Sequence, residues 1–202
     1  MKVSFGSVVI MAGICGILSF AFLATALGTT HWYIIEMKSK NMSSHSGLWI
    51  TIEGGKMWED SADFFKANYS RHSTTELQLQ KMHGAIVVVL PLSLVLLLFG
   101  GICGLVSSLA RSPVLLTRTA SYFFICSLLT LCAVILYIIY SYEALAEAER
   151  RVEPEVLADV HISFGWSLGM VWLSYGLELL TGVLLLTAAR MAKLQHSSPT
   201  MA

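Results

Sequence analysis

The stretch GAIVVVLPLSLVLLLFGGICGLVSSLA, from Gly84 to Ala110, contains no charged residue. It is longer than the about 20 residues that carry a helix across a hydrocarbon core. Three other blocks resemble it: Val3 to Thr30 and Thr119 to Tyr142 have no charge, and Ile162 to Ala189 has one, Glu178. Because lipid offers the backbone no hydrogen-bond partners, each block is predicted to form a helix.

The composition agrees with this interpretation. Of the 202 residues, 55% are hydrophobic and only 13% are charged, whereas a soluble domain carries about a quarter charged residues. The sequence therefore predicts one mainly α-helical domain, an integral membrane four-helix bundle that covers residues 1–202. The predicted spans are about 7–30, 84–109, 119–142 and 163–189, with two long loops at 31–83 and 143–161.

The charges outside the spans predict the orientation. The two long loops hold eight Lys or Arg and twelve of the thirteen acids, whereas the short segments hold five Lys or Arg and no acid. The raw Lys and Arg count favours the long loops, but the positive-inside bias is read over short segments. We therefore expect a plasma-membrane protein with both termini in the cytosol and both long loops outside.

The first long loop carries two acceptor patterns for N-linked glycans. Asn41 begins N-M-S and Asn68 begins N-Y-S, and both patterns require a lumenal location. One such tripeptide is common by chance, but here two fall in the loop that the charges already place outside. We predict glycosylation at Asn41 and Asn68.

The start of this loop has the composition of a small β-structure. Trp32 follows the first span, where aromatic rings favour the membrane interface. Residues 33–37 are predicted as one strand, and SGLWITIEGG, residues 46–55, as a second strand that stops at paired glycines. The polar residues 39–46 would connect the two strands. In such a hairpin Trp49 packs near Trp32.

Trp32, then Gly47-Leu48-Trp49, in a four-span chain with cytosolic ends, resembles the superfamily of claudins, peripheral myelin protein, epithelial membrane proteins and calcium-channel gamma subunits. Three further stretches, SSHSGLW, VVLPLSLVLLLFG and SFGWSL, resemble most closely one pair of transmembrane proteins in this superfamily. The resemblance implies a helix bundle topped by a small extracellular antiparallel sheet. It also implies that Trp32, Gly47, Leu48 and Trp49 form a packing anchor.

The chain departs from the superfamily pattern in one respect. The resemblance implies two cysteines after the Gly-Leu-Trp motif, joined by a disulfide across the sheet. Residues 50–83 contain no cysteine. The sheet would then depend on the tryptophan anchor, and the first loop has either a looser sheet or a changed function.

Small residues recur at helix-packing spacing in two spans. Gly100 and Gly104 form one small-xxx-small pair, and Gly165 and Gly169 form another. Such pairs allow close approach of helices. Packing within the chain is the favoured interpretation, because four spans need interior contacts, and dimerisation is the alternative.

Glu178 is the one ionisable residue inside a predicted span. A carboxyl group in the hydrocarbon region is a functional hypothesis by default, and no Lys or Arg lies in a span with it. We expect it to be protonated or hydrogen-bonded. Expected partners are hydroxyl groups on other spans: Ser93, Tyr122, Ser127 or Thr130. A structural bond between helices and a role in partner or ion binding both remain open.

No motif for phosphate binding, metal-dependent hydrolysis, nucleophilic catalysis or nucleic-acid binding is present. The sequence therefore predicts a non-catalytic protein with no cofactor and no nucleic-acid partner. The expected partners are membrane lipid and either a channel or receptor in the same membrane or a second copy of the chain. Transport through Glu178 is improbable in four spans without an internal repeat.

Two functions remain open. The first is a lateral auxiliary subunit of a larger membrane protein, and the alternative is cell–cell adhesion at a junction. The second loop holds six acids and two arginines. A solvated surface is the favoured interpretation, and attraction of a basic partner or of cations is the alternative. An apical location or a location at cell contacts is compatible with both functions.

Overall fold

The computed structural model describes residues 4–37, 42–53, 56–59, 74–151 and 160–197. Four helices run through this part of the chain, as the four apolar blocks predict: α1 at Phe5–Gly28, α2 at Thr74–Leu109, α3 at Pro113–Arg151 and α4 at Trp166–Ser197. Each helix contains a segment that is long and apolar enough to cross a membrane.

Two helices extend well beyond their apolar blocks. Helix α2 starts at Thr74 and continues through Pro91 without a break in the helix. Helix α3 runs on to Arg151, past the predicted end of its span at residue 142. The charged and polar ends of these helices therefore occupy part of what the sequence predicts as loops.

The chain divides into two compact units. The helical unit comprises Met1–Ala24, Leu92–Leu131 and Trp172–Ala202, and the sheet unit comprises Thr25–Pro91 and Cys132–Val171. The helical unit contains segments of all four helices, and its buried side chains include Leu23, Leu97, Phe123 and Leu185. Burial of apolar side chains from each helix gives this unit its core.

In its described residues, the sheet unit contains five antiparallel strands. They are β1 at Tyr33–Met37, β2 at Met42–Ser46, β3 at Ile50–Glu53, β4 at Lys56–Glu59 and β5 at Val160–Phe164. Their order across the sheet is β4-β3-β2-β1-β5. Strand β5 thus pairs with β1, although the two strands come from opposite ends of the sequence.

The predicted hairpin is wrong in the segment that pairs with β1. Strand β1 pairs with β2, so that Met37 lies opposite Met42, and β2 occupies residues predicted as the connecting loop. Gly47, Leu48 and Trp49 fall between β2 and β3 rather than in a strand. Strand β2 is rich in serine and has a low strand propensity. It nevertheless pairs with β1, to which a short segment connects it, because the context of a strand outweighs its intrinsic propensity.

Candidate functional site

The indole groups of two tryptophans cap the end of α1. The last four carbonyl groups of a helix have no partner within the helix, and α1 ends at Gly28. Trp32 is fully buried, and its Nε1 donates to the Ala26 carbonyl at 2.8 Å. Trp49 Nε1 donates to the carbonyl of Leu27 at 3.0 Å. Side chains from the residues that follow therefore satisfy two acceptors in the last turn of α1, and we call Trp32 and Trp49 together the tryptophan cap.

The Gly47-Leu48-Trp49 turn is held by more than this hydrogen bond. Leu48 is 1% exposed, so the residue between Gly47 and Trp49 is buried even though it lies outside the strands. The Trp32 ring packs edge-on against Tyr137 of α3, with ring centroids 4.8 Å apart. Aromatic pairs in this geometry stabilise by about 0.5–1.5 kcal/mol beyond their burial. The turn and Trp32 thus connect the sheet to α1 and α3.

Gly165 has a different role from the one its spacing predicts. It lies before α4, which begins at Trp166, so it does not form a helix-packing pair with Gly169. Its N–H donates to the Trp32 carbonyl at 3.0 Å, and a Cβ at this position would collide with the His31 carbonyl oxygen. A Cβ at Gly169 would meet nothing within 4 Å. The close approach of two backbones requires glycine at 165.

Gly100 and Gly104 lie on α2 and face α3. A Cβ at Gly100 would lie 2.9 Å from Cε1 of Tyr122, and one at Gly104 would lie 3.9 Å from Cγ2 of Thr119. The first distance is too short for a real side chain, and the second is an ordinary contact. Gly100 is therefore the residue of this pair at which the absence of a side chain matters most.

Glu178 is completely buried within the helical unit. Thr130 Oγ1, on α3, lies 3.1 Å from one carboxyl oxygen of Glu178 and 3.2 Å from the other. Ser174 Oγ, one turn earlier on α4, lies 3.4 Å from the carboxyl group and 2.9 Å from Ser19 Oγ of α1. Three helices thus contribute polar groups to one cluster, which we call the Glu178 cluster: Ser19, Thr130, Ser174 and Glu178.

Each hydroxyl in the Glu178 cluster has only one hydrogen to donate. Thr130 Oγ1 also lies 3.2 Å from the Cys126 carbonyl, while Ser19 and Ser174 each reach the other's carbonyl at 3.1 and 2.9 Å. If all three hydroxyls donate to those carbonyls, the Thr130 oxygen is left to accept a hydrogen from Glu178. The geometry therefore accommodates a neutral carboxylic acid that donates to Thr130.

Thr130 is one of the four partners that the sequence suggests for Glu178. Two of the others donate elsewhere: Tyr122 to the Leu96 carbonyl and Ser127 to the Phe124 carbonyl, each at 2.8 Å. Hydroxyl groups in transmembrane helices commonly bond to the carbonyl one turn back. Ser127 bonds in this way, and Tyr122 bonds across to α2. The sequence alone does not separate hydroxyl groups that bond elsewhere from those that bond to Glu178.

Sequence reasoning missed two members of the Glu178 cluster. Ser174 carried a usable signal, because a residue four positions before Glu178 lies on the same helix face. Ser19 carried none, since its contact with α4 depends on how α1 packs. The two predicted glycosylation sites, Asn41 and Asn68, lie outside the described residues.

Residues 17–187 match the model of the family described as PMP-22/EMP/MP20/Claudin tight junction. The match covers most of the chain and includes α2, α3, parts of α1 and α4, the tryptophan cap and the Glu178 cluster. The chain is a multi-pass membrane protein with four spans, and it belongs to the PMP-22, EMP, MP20 and claudin family.

Proposed function

We propose that this protein is a lateral, non-catalytic auxiliary partner of a larger membrane protein, such as a channel or receptor in the same membrane. The observation that carries this proposal is the position of the cysteines. All four are free and lie in helices, at Cys15, Cys103, Cys126 and Cys132. The sheet therefore has no disulfide. In the described part of the chain, the indole hydrogen bonds of Trp32 and Trp49 and the ring contact of Trp32 with Tyr137 connect it to α1 and α3.

Without the cysteine pair that the family pattern places in this loop, the sheet lacks a cross-link that would stabilise it. The helices, in contrast, offer surface to a neighbour in the plane of the membrane. Within the helical unit, helix α2 exposes apolar side chains at alternating spacings of three and four residues: Leu92, Val95, Phe99, Ile102 and Val106. This spacing suits packing against another apolar helix. Such a stripe also faces lipid in any membrane protein, so it supports the proposal without carrying it.

The non-catalytic part of the proposal has a separate basis. The buried carboxyl group of Glu178 is surrounded by hydroxyl groups and carbonyls of three helices. That environment suits a structural bond between helices rather than a reaction with a substrate.

The test compares two properties of the same expressed protein. We expect proximity labelling and co-purification in mild detergent to recover a larger membrane protein, and we expect no rise in electrical resistance across a cell layer. Phe99→Ala should reduce the co-purification, because it removes the largest side chain of the exposed α2 stripe. Ile125→Ala, at an exposed position on α3, is the matched control.

Cell–cell adhesion is the alternative function, favoured by the family to which the chain belongs. Strands at cell contacts with raised resistance, and no co-purifying channel or receptor, would establish adhesion in place of the auxiliary function.

A further inference from the structure

A groove runs between α1 and α2 within the helical unit. Its volume is about 280 Å³, and its walls are almost entirely apolar. Four of the residues that line it are glycines, Gly13 and Gly16 on α1 and Gly101 and Gly104 on α2. A Cβ added at Gly13 or at Gly101 would meet nothing within 4 Å. The groove thus exists because these positions have no side chains.

The length of the groove matches one leaflet of a bilayer. It extends along α1 from Val9 to Phe20 and along α2 from Leu97 to Ser108. At 1.5 Å per residue, each wall is about 16 Å long. The hydrocarbon core of a bilayer is about 30 Å thick, so one leaflet accounts for about 15 Å of it. A lipid acyl chain ends within one leaflet, whereas a transmembrane helix from a partner crosses both.

One end of the groove is basic. Ser108 lines that end, and its carbonyl accepts a hydrogen bond from the backbone N–H of Arg111 at 3.3 Å. The Arg111 guanidinium stands 5.8 Å from the ring centroid of Phe5, which lies one turn before Val9 on α1. Arg111 is exposed to solvent. A cation therefore sits one turn beyond the end of the apolar walls.

The exposed charges of the helical unit have one sign among the described residues. The described part of the helical unit contains three further cations, Arg118, Arg190 and Lys193, and all three are exposed. Its only acid is Glu178, which is completely buried. An anion at the groove end would thus meet positive charge without competition from an exposed carboxylate.

We propose that the groove between α1 and α2 binds an acyl chain of an anionic phospholipid, with the lipid phosphate at Arg111. The apolar walls take the chain, and the glycines give it room. The Phe5 ring occupies one face of the guanidinium, which leaves the N–H groups at its edge to donate to phosphate oxygens. The proposal does not rest on the auxiliary function, although Ile102 belongs both to the groove and to the exposed α2 stripe.

The test uses the full-length protein in detergent, mixed with equal amounts of phosphatidylserine and phosphatidylcholine. Native mass spectrometry then counts the bound molecules of each lipid. One cation near an anionic lipid favours it by about fivefold, so we expect the wild-type protein to retain phosphatidylserine with about that preference. Equal retention of the two lipids by the wild-type protein would overturn the proposal.

Two pairs of variants separate the walls of the groove from its charged end. Gly101→Leu fills the groove, and we expect it to lose the bound lipid, whereas Gly176→Leu, at another open helical position, should bind as the wild type does. Arg111→Gln should keep the lipid but lose the preference for phosphatidylserine. Arg118→Gln is its control and should keep the preference.

Two results would contradict the site. Unchanged lipid binding in Gly101→Leu would show that the lipid is held elsewhere. Loss of a dimer, rather than loss of lipid, in the same variant would show that the groove receives a helix from a second copy. A melting curve in detergent accompanies each variant, and Gly101→Leu should melt no lower than the wild-type protein.

Discussion

At the scale of single residues, the tryptophan cap explains why the polar first loop contains the large aromatic side chain of Trp49. The Trp49 indole reaches back to the Leu27 carbonyl while Trp32 takes the carbonyl of Ala26. Both acceptors belong to the last turn of α1, where the helix itself supplies no donors. The sequence predicted that Trp49 lies near Trp32, but its pairing with a particular carbonyl depends on the path of the turn and is not readable from the motif.

Replacing the two tryptophans of the cap should lower the stability of the protein to different extents. Trp32→Ala should lower the free energy of unfolding by about 3–5 kcal/mol, the usual effect of removing a fully buried aromatic side chain. Trp49→Phe should have a smaller effect, about 0.5–1.5 kcal/mol, because it removes mainly one hydrogen bond. Thermal unfolding in detergent and delivery to the cell surface measure both effects.

Trp172→Ala is the control for this series, since Trp172 lies on α4 and is 43% exposed. It should leave the melting temperature close to that of the wild-type protein. If Trp172→Ala and Trp32→Ala lowered it equally, the tryptophan cap would not be an anchor.

The Glu178 cluster predicts a difference between two replacements of its carboxyl group. Glu178→Gln should fold normally, because the amide can still donate a hydrogen to the Thr130 oxygen. Glu178→Leu should be less stable by about 1 kcal/mol, the typical strength of an interhelical hydrogen bond in a membrane. The measurement is again thermal unfolding in detergent.

A double-mutant cycle with Thr130→Val tests whether the bond itself is responsible. If it is, the double variant Glu178→Leu with Thr130→Val should be more stable than the sum of the single effects predicts. Normal stability of Glu178→Leu alone would argue against a structural role and in favour of a functional one.

At the scale of elements, local pattern and long-range pairing differ in how well they can be predicted. The four helices follow from uncharged runs that exceed the thickness of a bilayer, and β1 follows from its β-branched residues. Strand β5 could not be predicted in the same way, because VHISF continues directly into an apolar span and reads as part of it. Only its pairing with β1 identifies these residues as a strand rather than as the start of α4.

The junction between β5 and α4 predicts unequal effects for two glycines that sequence spacing treats alike. Gly165→Ala should impair folding and surface delivery, because the new methyl group would collide with the His31 carbonyl oxygen. Gly169→Ala should leave the fold intact and stabilise α4 by up to about 1 kcal/mol, since alanine favours a helix over glycine. Equal melting temperatures for the two variants would refute the close contact at Gly165.

At the scale of the whole molecule, length, composition and hydropathy were enough to predict a four-span protein, and the family match agrees. The orientation rests on charge asymmetry and on the two acceptor patterns in the first loop. The contents of the two long loops were harder to predict, because both include helix ends and strands whose partners lie elsewhere in the chain. The Glu178 cluster was likewise only partly predictable, since Ser19 becomes its member through the packing of α1.

The orientation predicts glycans at Asn41 and Asn68 with both termini in the cytosol. Glycosidase treatment of the protein expressed in membranes should increase its gel mobility. Asn41→Gln and Asn68→Gln should each remove part of that shift, and the double variant should remove all of it. An unshifted wild-type protein with a C-terminal tag accessible from outside the cell would overturn this orientation.

The pairing of β1 with β5 has a consequence for how the protein is made. Strand β1 emerges from the ribosome soon after α1, but β5 is synthesised on the order of ten seconds later at normal rates of elongation. During that interval one edge of β1 has unpaired N–H and C=O groups, which other chains can recognise. Completion of the sheet thus reports that the chain has been delivered as far as β5, just before the last span, and a chaperone that binds the open edge could distinguish these chains from shorter ones.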